Sequence, residues 1–160
     1  MSIKLDFTPD LVGIWKEGGE SVSVLERDFS IFLMYLGRKD SIKGKTIDDL
    51  GLANISEYSR TPTKISFIKQ YFSSFSNTPT KPITYSGRGG KNFYHGAWKK
   101  DKDIGIFHLG DSNYVIEADN PVARSFIKFE TTRLINILKE MQRQSPFLPI
   151  IPEDHIVGKL

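Results

Sequence analysis

The sequence predicts an α+β domain in which a twisted antiparallel sheet carries a C-terminal amphipathic helix on one face. Three observations predict it. Short apolar runs suited to strands, bounded by turn-forming residues, fill residues 92–129. An apolar stripe at helical spacing follows: Leu134, Ile135, Leu138 and Met141, extended by Ile137. A length of 160 residues with no cysteine fits one domain that folds on its own core, without disulfides or thiolate metal sites. The expected organisation is a single domain over 1–145 and a tail over 146–160, with prolines at 146, 149 and 152.

Taken in order, Ile3, Leu5 and Phe7 alternate as in a half-buried strand, which Thr8-Pro9-Asp10 breaks. Residues 11–17 and 21–26 flank Gly18-Gly19-Glu20 and read as a hairpin. Residues 28–36 stay open: Phe29, Phe32, Leu33 and Leu36 fit a helical face, while the aromatic and β-prone composition favours a strand. Thr46 reads as the cap of one helical turn ending at Leu50. Ile65, Ile68, Phe72 and Phe75 fall at helical spacing, which predicts a helix over 64–76. Residues 77–82, with two prolines, and the glycine-rich 86–91 read as loops. Strands are expected at 92–99, 104–109, 113–118 and 124–129, with tight turns at 100–103 and 110–112. A helix is expected over 131–144, capped by Thr131 or Thr132 and stopped by Ser145-Pro146.

The charge is unevenly spread. Residues 60–102 hold nine Lys/Arg and one acid, Asp101, whereas both flanking segments are net acidic. The same stretch carries eight of the nineteen aromatic residues. Cations neutralise phosphates and release counterions, and rings stack on exposed bases. The expectation is a surface for single-stranded DNA or RNA of low sequence specificity. Lys64, Lys81, Arg88, Lys91, Lys99 and Lys100 would meet phosphates, and Tyr85, Phe93, Tyr94 and Trp98 would stack. Ser86-Gly87-Arg88-Gly89-Gly90-Lys91 lacks the spacing of a P-loop.

A strand, Ile127-Lys128-Phe129-Glu130-Thr131, leads into Leu134-Ile135-Asn136-Ile137-Leu138-Lys139. With the strands before it, residues 92–144 resemble in layout the single-strand-binding unit of positive cofactor four, whirly proteins and Pur-alpha repeats. That resemblance implies a curved base-stacking sheet and a helix that supports dimerisation. A homodimer also follows from the exposed edges of an open sheet.

Two other classes are weighed. A nuclease or ribonuclease-type toxin could use His95 or His108 with Glu117 or Asp119, and Arg88 or Arg124 for the charged intermediate. Asp101, Asp103, Asp111 and Asp119 show no metal-loop spacing, so no metal or cofactor is expected. A phage, viral or bacterial accessory protein could dock a partner through Phe147, Leu148, Pro149, Ile150, Ile151 and Pro152. Residues 1–7 lack a signal-peptide core. The longest nearly apolar run, 31–36, is far short of the roughly twenty residues a membrane helix needs. The expectation is a cytoplasmic protein without a membrane span.

Overall fold

Eight strands follow one another around a ring in sequence order, and the last pairs with the first. The computed structural model describes residues 5–18, 29–36, 44–71, 80–90, 93–110, 121–146 and 150–152. The strands are β1 (Leu11–Glu17), β2 (Ser30–Tyr35), β3 (Lys45–Asp48), β4 (Gly51–Arg60), β5 (Lys64–Tyr71), β6 (Ile83–Gly90), β7 (Phe93–Lys100) and β8 (Asp103–Gly110). Every neighbouring pair is antiparallel, and β1 joins β8 from Val12↔Gly110 to Glu17↔Gly105. A helix, α1 (Pro121–Gln144), follows the barrel.

The open twisted sheet expected from the sequence is therefore corrected to a closed barrel. Closure depends on pairing residues nearly a hundred positions apart, and period-two alternation carries no trace of such a partner. Closure also removes the unpaired edges on which the dimer argument rested.

Several elements differ from expectation for local reasons. Residues 46–48 belong to β3, and Asp49-Leu50 form a two-residue hairpin loop instead of a helical turn. Residues 64–71 form β5: Ile65, Phe67, Lys69 and Tyr71 point inward, and Ser66, Ile68 and Gln70 outward. The helical spacing of Ile65 and Ile68 joined residues from opposite faces, and β-branched and aromatic content decided for strand. The glycine-rich 86–90 is strand, paired on both sides. Residues 124–129 lie in α1, which begins at Pro121, where proline's fixed φ suits the first helical turn. Residues 30–35 resolve to strand. The turn expected at 100–103 is present as Asp101-Lys102, with Asp101 at φ 53°. The strand expected at 113–118, the hairpin arm at 21–26, Lys91 and His155 lie outside the described residues.

Alternation along a closed sheet makes two cores. Inside lie Leu11, Phe32, Met34, Ile55, Ile65, Phe67, Tyr85, Tyr94, Phe107 and Leu109 among others. Outside, Ile31, Leu33, Tyr35 and Ile47 of β2 and β3 are covered by Ile127, Leu134 and Leu138 of α1. Those helix positions fall at i, i+7 and i+11, one face of a 3.6-residue repeat. The described end of the tail joins this second core: Ile151 is buried, and the Ile150 N–H donates to Gln142 Oε1 at 2.9 Å. The part of the 147–152 segment that is described thus covers the chain's own apolar surface.

Helix docking rests on a few fully buried side chains. Leu138→Ala should lower stability by about 2–5 kcal/mol through lost burial and a residual cavity, measured as the shift in urea midpoint. Substituting exposed Lys139 by Ala should leave the midpoint almost unchanged.

Candidate functional site

The barrel is plugged at one end and open at the other. At the plugged end Tyr94 donates its hydroxyl proton to Thr61 O at 2.6 Å, and Arg60 Nε donates to the Tyr94 oxygen at 3.0 Å. The Arg60 guanidinium also lies 5.4 Å from the Tyr94 ring centre. The middle is filled by rings: Phe67 stacks on Tyr85 at 4.7 Å, and Phe107 meets Tyr85 edge-on at 5.2 Å. These distances are favourable for aromatic pairs.

At the open end the side chains recede into a cup of about 450 Å³. Trp15, Tyr71, Ile83, Tyr85 and Trp98 make its apolar wall, Leu50 stands at the lip, and Glu17, Thr80, Lys100 and Asp103 supply polar groups. Trp15 and Trp98 meet edge to face, 5.9 Å apart. Trp98 is fixed by its indole N–H, which donates to Lys16 O at 3.1 Å. Gly105 makes room for it: a Cβ there would lie 2.2 Å from the Trp98 ring and from Lys16 O. Gly13 plays the same part for Phe32, whose ring would stand 2.2 Å from an added Cβ. The Trp15 indole N–H, by contrast, is buried without a hydrogen-bond partner among the described residues, as is the Thr46 hydroxyl.

Beside the cup lies a buried ion pair. Lys69 Nζ sits 3.0 Å from Asp48 Oδ2, each side chain 1% exposed. Tyr71 donates its hydroxyl proton to the same carboxylate oxygen, and the Leu50 N–H donates to Oδ1 at 2.8 Å. The rings of Phe32, Tyr71, Tyr85 and Trp15 surround the ammonium at 4.8–6.0 Å. Burial alone pulls the Lys69 pKa down, but the Tyr85, Asp48 and Tyr71 oxygens outweigh it and hold the group above the ordinary lysine value. Burial pushes the phenols of Tyr71 and Tyr85 up, and Lys69 opposes it only in part.

The residues expected to contact nucleic acid divide between the two faces of the wall. Tyr85, Tyr94 and Trp98 are 3%, 1% and 7% exposed and point inward, so the outward-facing base-stacking rings expected at these positions are instead interior packing. Lys64, Arg88 and Lys99 point outward, and Phe93 is half-buried against the His108 ring at 5.8 Å. Lys81 is exposed and paired with Asp101 at 2.5 Å, and Lys100 lines the cup. His95 and His108 lie side by side on the outer wall, ring centres 6.3 Å apart. Burial and the neighbouring His95 lower the His108 pKa. Arg124 is exposed on α1, and no cluster of three or more His, Asp or Glu able to hold a metal exists among the described residues. No helix there is long and apolar enough to cross a membrane.

Sequence reasoning missed Trp15, Asp48, Lys69, Tyr71 and Ile83. The available signal was Lys69 in phase with Ile65, Phe67 and Tyr71 at period two, which places a cation on the buried face of a strand. Comparison with protein-family models, curated proteins and solved structures finds no match to this chain.

The ion pair gives two measurable consequences. Lys69→Met leaves a buried carboxylate without its cation and should destabilise by about 3–5 kcal/mol, whereas adding Asp48→Leu should recover part of the loss; thermal denaturation of the two variants tests this. This cluster also contributes to the alkaline limb of stability. Lys69, Tyr71 and Tyr85 all keep their protons to higher pH in the folded state than the ordinary 10.5 and 10.0. The unfolded chain therefore binds fewer protons above about pH 10, and stability should be full below that pH and fall as it is exceeded. Melting temperature from pH 8 to 11 reads the effect.

Proposed function

We propose that this barrel is a binding protein for one small, mostly apolar or aromatic molecule held in the open end. The observation that carries the reading is the 450 Å³ cup walled by two tryptophans in edge-to-face contact, set above a floor that is otherwise solidly packed. An eight-stranded barrel interior is just wide enough to be filled by side chains or to hold one small ligand. Here the filling stops short of one mouth. Small-molecule sites range over about 300–1,000 Å³, with an apolar lining and a few convergent polar groups. Glu17, Thr80, Lys100 and Asp103 supply the polar groups here. Charged residues stand at the rim, where a polar end of the ligand would stay wet.

The nucleic-acid reading keeps one specific support, the outward cations Lys64, Arg88 and Lys99 on adjacent strands. Of the four expected stacking rings only Phe93 remains on that face, half-buried; Tyr85 and Trp98 line the cup, and Tyr94 packs at the other end of the interior.

The chain's two tryptophans both line the cup, which makes intrinsic fluorescence a local reporter. Titration with the neutral probe N-phenyl-1-naphthylamine should give saturable energy transfer from tryptophan at one probe per chain. Leu50→Asp at the exposed lip should weaken binding about tenfold, the effect of some 1.4 kcal/mol, with an unchanged near-ultraviolet circular dichroism spectrum. Probe binding indifferent to Leu50→Asp and to Ile83→Ala would place the probe elsewhere and remove the basis for the reading.

A further inference from the structure

The outer wall opposite the helix carries a feature that barrel folding does not require. Lys64 of β5 faces Arg88 of β6, Arg88 faces His95 of β7, and His95 faces His108 of β8. These are direct cross-strand partners on one face of a continuous sheet. Directly opposed residues have Cβ atoms about 4.5–5.5 Å apart, and like charges so placed destabilise a sheet. The fold thus lines up two permanent cations and two imidazoles, with no acidic residue in the row. A local rule broken without an acidic partner in the row marks a candidate site for a ligand that supplies the opposite charge.

The surface beside the row is concave. A groove of about 280 Å³ lies between β4, β5 and β6, lined by Ser59, Thr61, Lys64, Ser66, Ser86 and Arg88. The pairing of β4 with β5 shifts between Ser56 and Ser59, and Glu57 within that irregularity adopts φ 49°. That irregularity bends the wall beside Lys64. Hydroxyl donors, an ammonium and a planar guanidinium therefore converge on one small depression. This donor set suits the tetrahedral oxygens of a phosphoryl group, with Arg88 offering the paired N–H geometry and Lys64 a point charge.

We propose that the Lys64–Arg88–His95 row and its hydroxyl-lined groove form a phosphoryl-anion site, separate from the cup. The anion neutralises the opposed cations and accepts hydrogen bonds from Ser66 and Ser86. His108 ties the site to pH. His95 is flanked by Arg88 on β6 and His108 on β8, with Phe93 and Ala97 along its own strand. His108 is flanked by His95, by the Phe93 ring and, on β1, by Ile14, with Lys16 two residues beyond. No carboxylate faces either imidazole in this register, so protonation adds only positive charge to the row. Burial first, and then repulsion from the neighbouring His95, hold His108 toward the neutral form. An anion in the groove relieves that repulsion, and binding strengthens as pH falls through the imidazole range.

Isothermal titration with pyrophosphate at pH 6 and pH 8 tests the site. Binding several-fold tighter at pH 6, and lost at least tenfold in Lys64→Ala/Arg88→Ala, is expected. Both residues are exposed, so the double variant should fold, and without anion it should melt at or slightly above the parent temperature. Pyrophosphate should raise the parent's melting temperature and leave the variant's unmoved. A parallel arm uses a fifteen-nucleotide oligothymidylate. If it binds more tightly than pyrophosphate, with strong salt dependence and the same loss in the double variant, the phosphoryl group comes from a nucleic-acid backbone. If pyrophosphate alone binds, the site takes a compact free anion. No pyrophosphate or oligonucleotide binding at pH 6, or binding that survives the double substitution, overturns the proposal. N-phenyl-1-naphthylamine binding to the double variant should match the parent, which separates failure here from failure of the cup.

Discussion

Pairing between β1 and β8 governs everything else in this molecule. Hydrogen bonds from Val12↔Gly110 to Glu17↔Gly105 convert an eight-strand meander into a ring. Once the ring is closed, each strand residue belongs either to the interior or to the outer wall. The interior must then be filled by what the strands supply, and they supply many rings. Phe32, Phe67, Tyr85, Tyr94, Trp98 and Phe107 are bulky enough to fill a narrow barrel through the middle. They leave a cup at one mouth, bounded by Trp15, Tyr71, Ile83 and Trp98. The cup is thus a consequence of where large side chains run out along strands of unequal length.

The buried Lys69–Asp48 pair is the least expected part of that filling. An apolar pair of similar volume is often as stable or more so, since two charges lose their hydration on burial. Here the carboxylate accepts from Lys69, from the Tyr71 hydroxyl and from the Leu50 N–H, so its oxygens are well satisfied. The ammonium receives the faces of several rings besides the carboxylate. Such a network ties the β3–β4 turn to β5 and holds Tyr71, a cup residue, in one orientation. The ion pair therefore contributes to the shape of the cup through Tyr71 and Leu50 rather than by reaching a ligand itself.

The sequence made some of this legible and concealed the rest for identifiable reasons. Strands β1, β7 and β8, the Asp101-Lys102 turn and the second half of α1 were readable because local alternation, turn residues and a helical stripe agree there. Strand β5 was misread because Ile65 and Ile68 imitate a helical repeat while sitting on opposite faces. Strand β6 was hidden by its glycines, which are spaced so that neighbouring backbone and rings can approach closely. The 124–129 stretch looked like a strand because Phe126, Ile127 and Phe129 are β-prone, yet only Ile127 of the three is fully buried against the barrel. The concentration of rings and cations in residues 60–102 was real. Composition could not say that alternate positions send Phe67, Tyr71, Tyr85, Tyr94 and Trp98 inward with Lys69, and Lys64, Arg88 and Lys99 outward.

That same alternation argues that the two sites act independently. Strands β5, β6 and β7 present Tyr71, Tyr85 and Trp98 to the cup; on the outer face Lys64 and Arg88 line the groove and His95 lies beside Arg88. The sites share backbone, but coupling needs an element with two discrete arrangements that both ligands bias. Each of these three strands is hydrogen-bonded on both sides within a closed ring, and the packed rings of Phe67, Tyr85 and Phe107 support them from the interior. A wall so constrained has no alternative register to adopt, since a slip of one residue would exchange its inner and outer side chains entirely. Occupation of the groove should therefore alter the charge of the outer surface while leaving the depth and lining of the cup as they are.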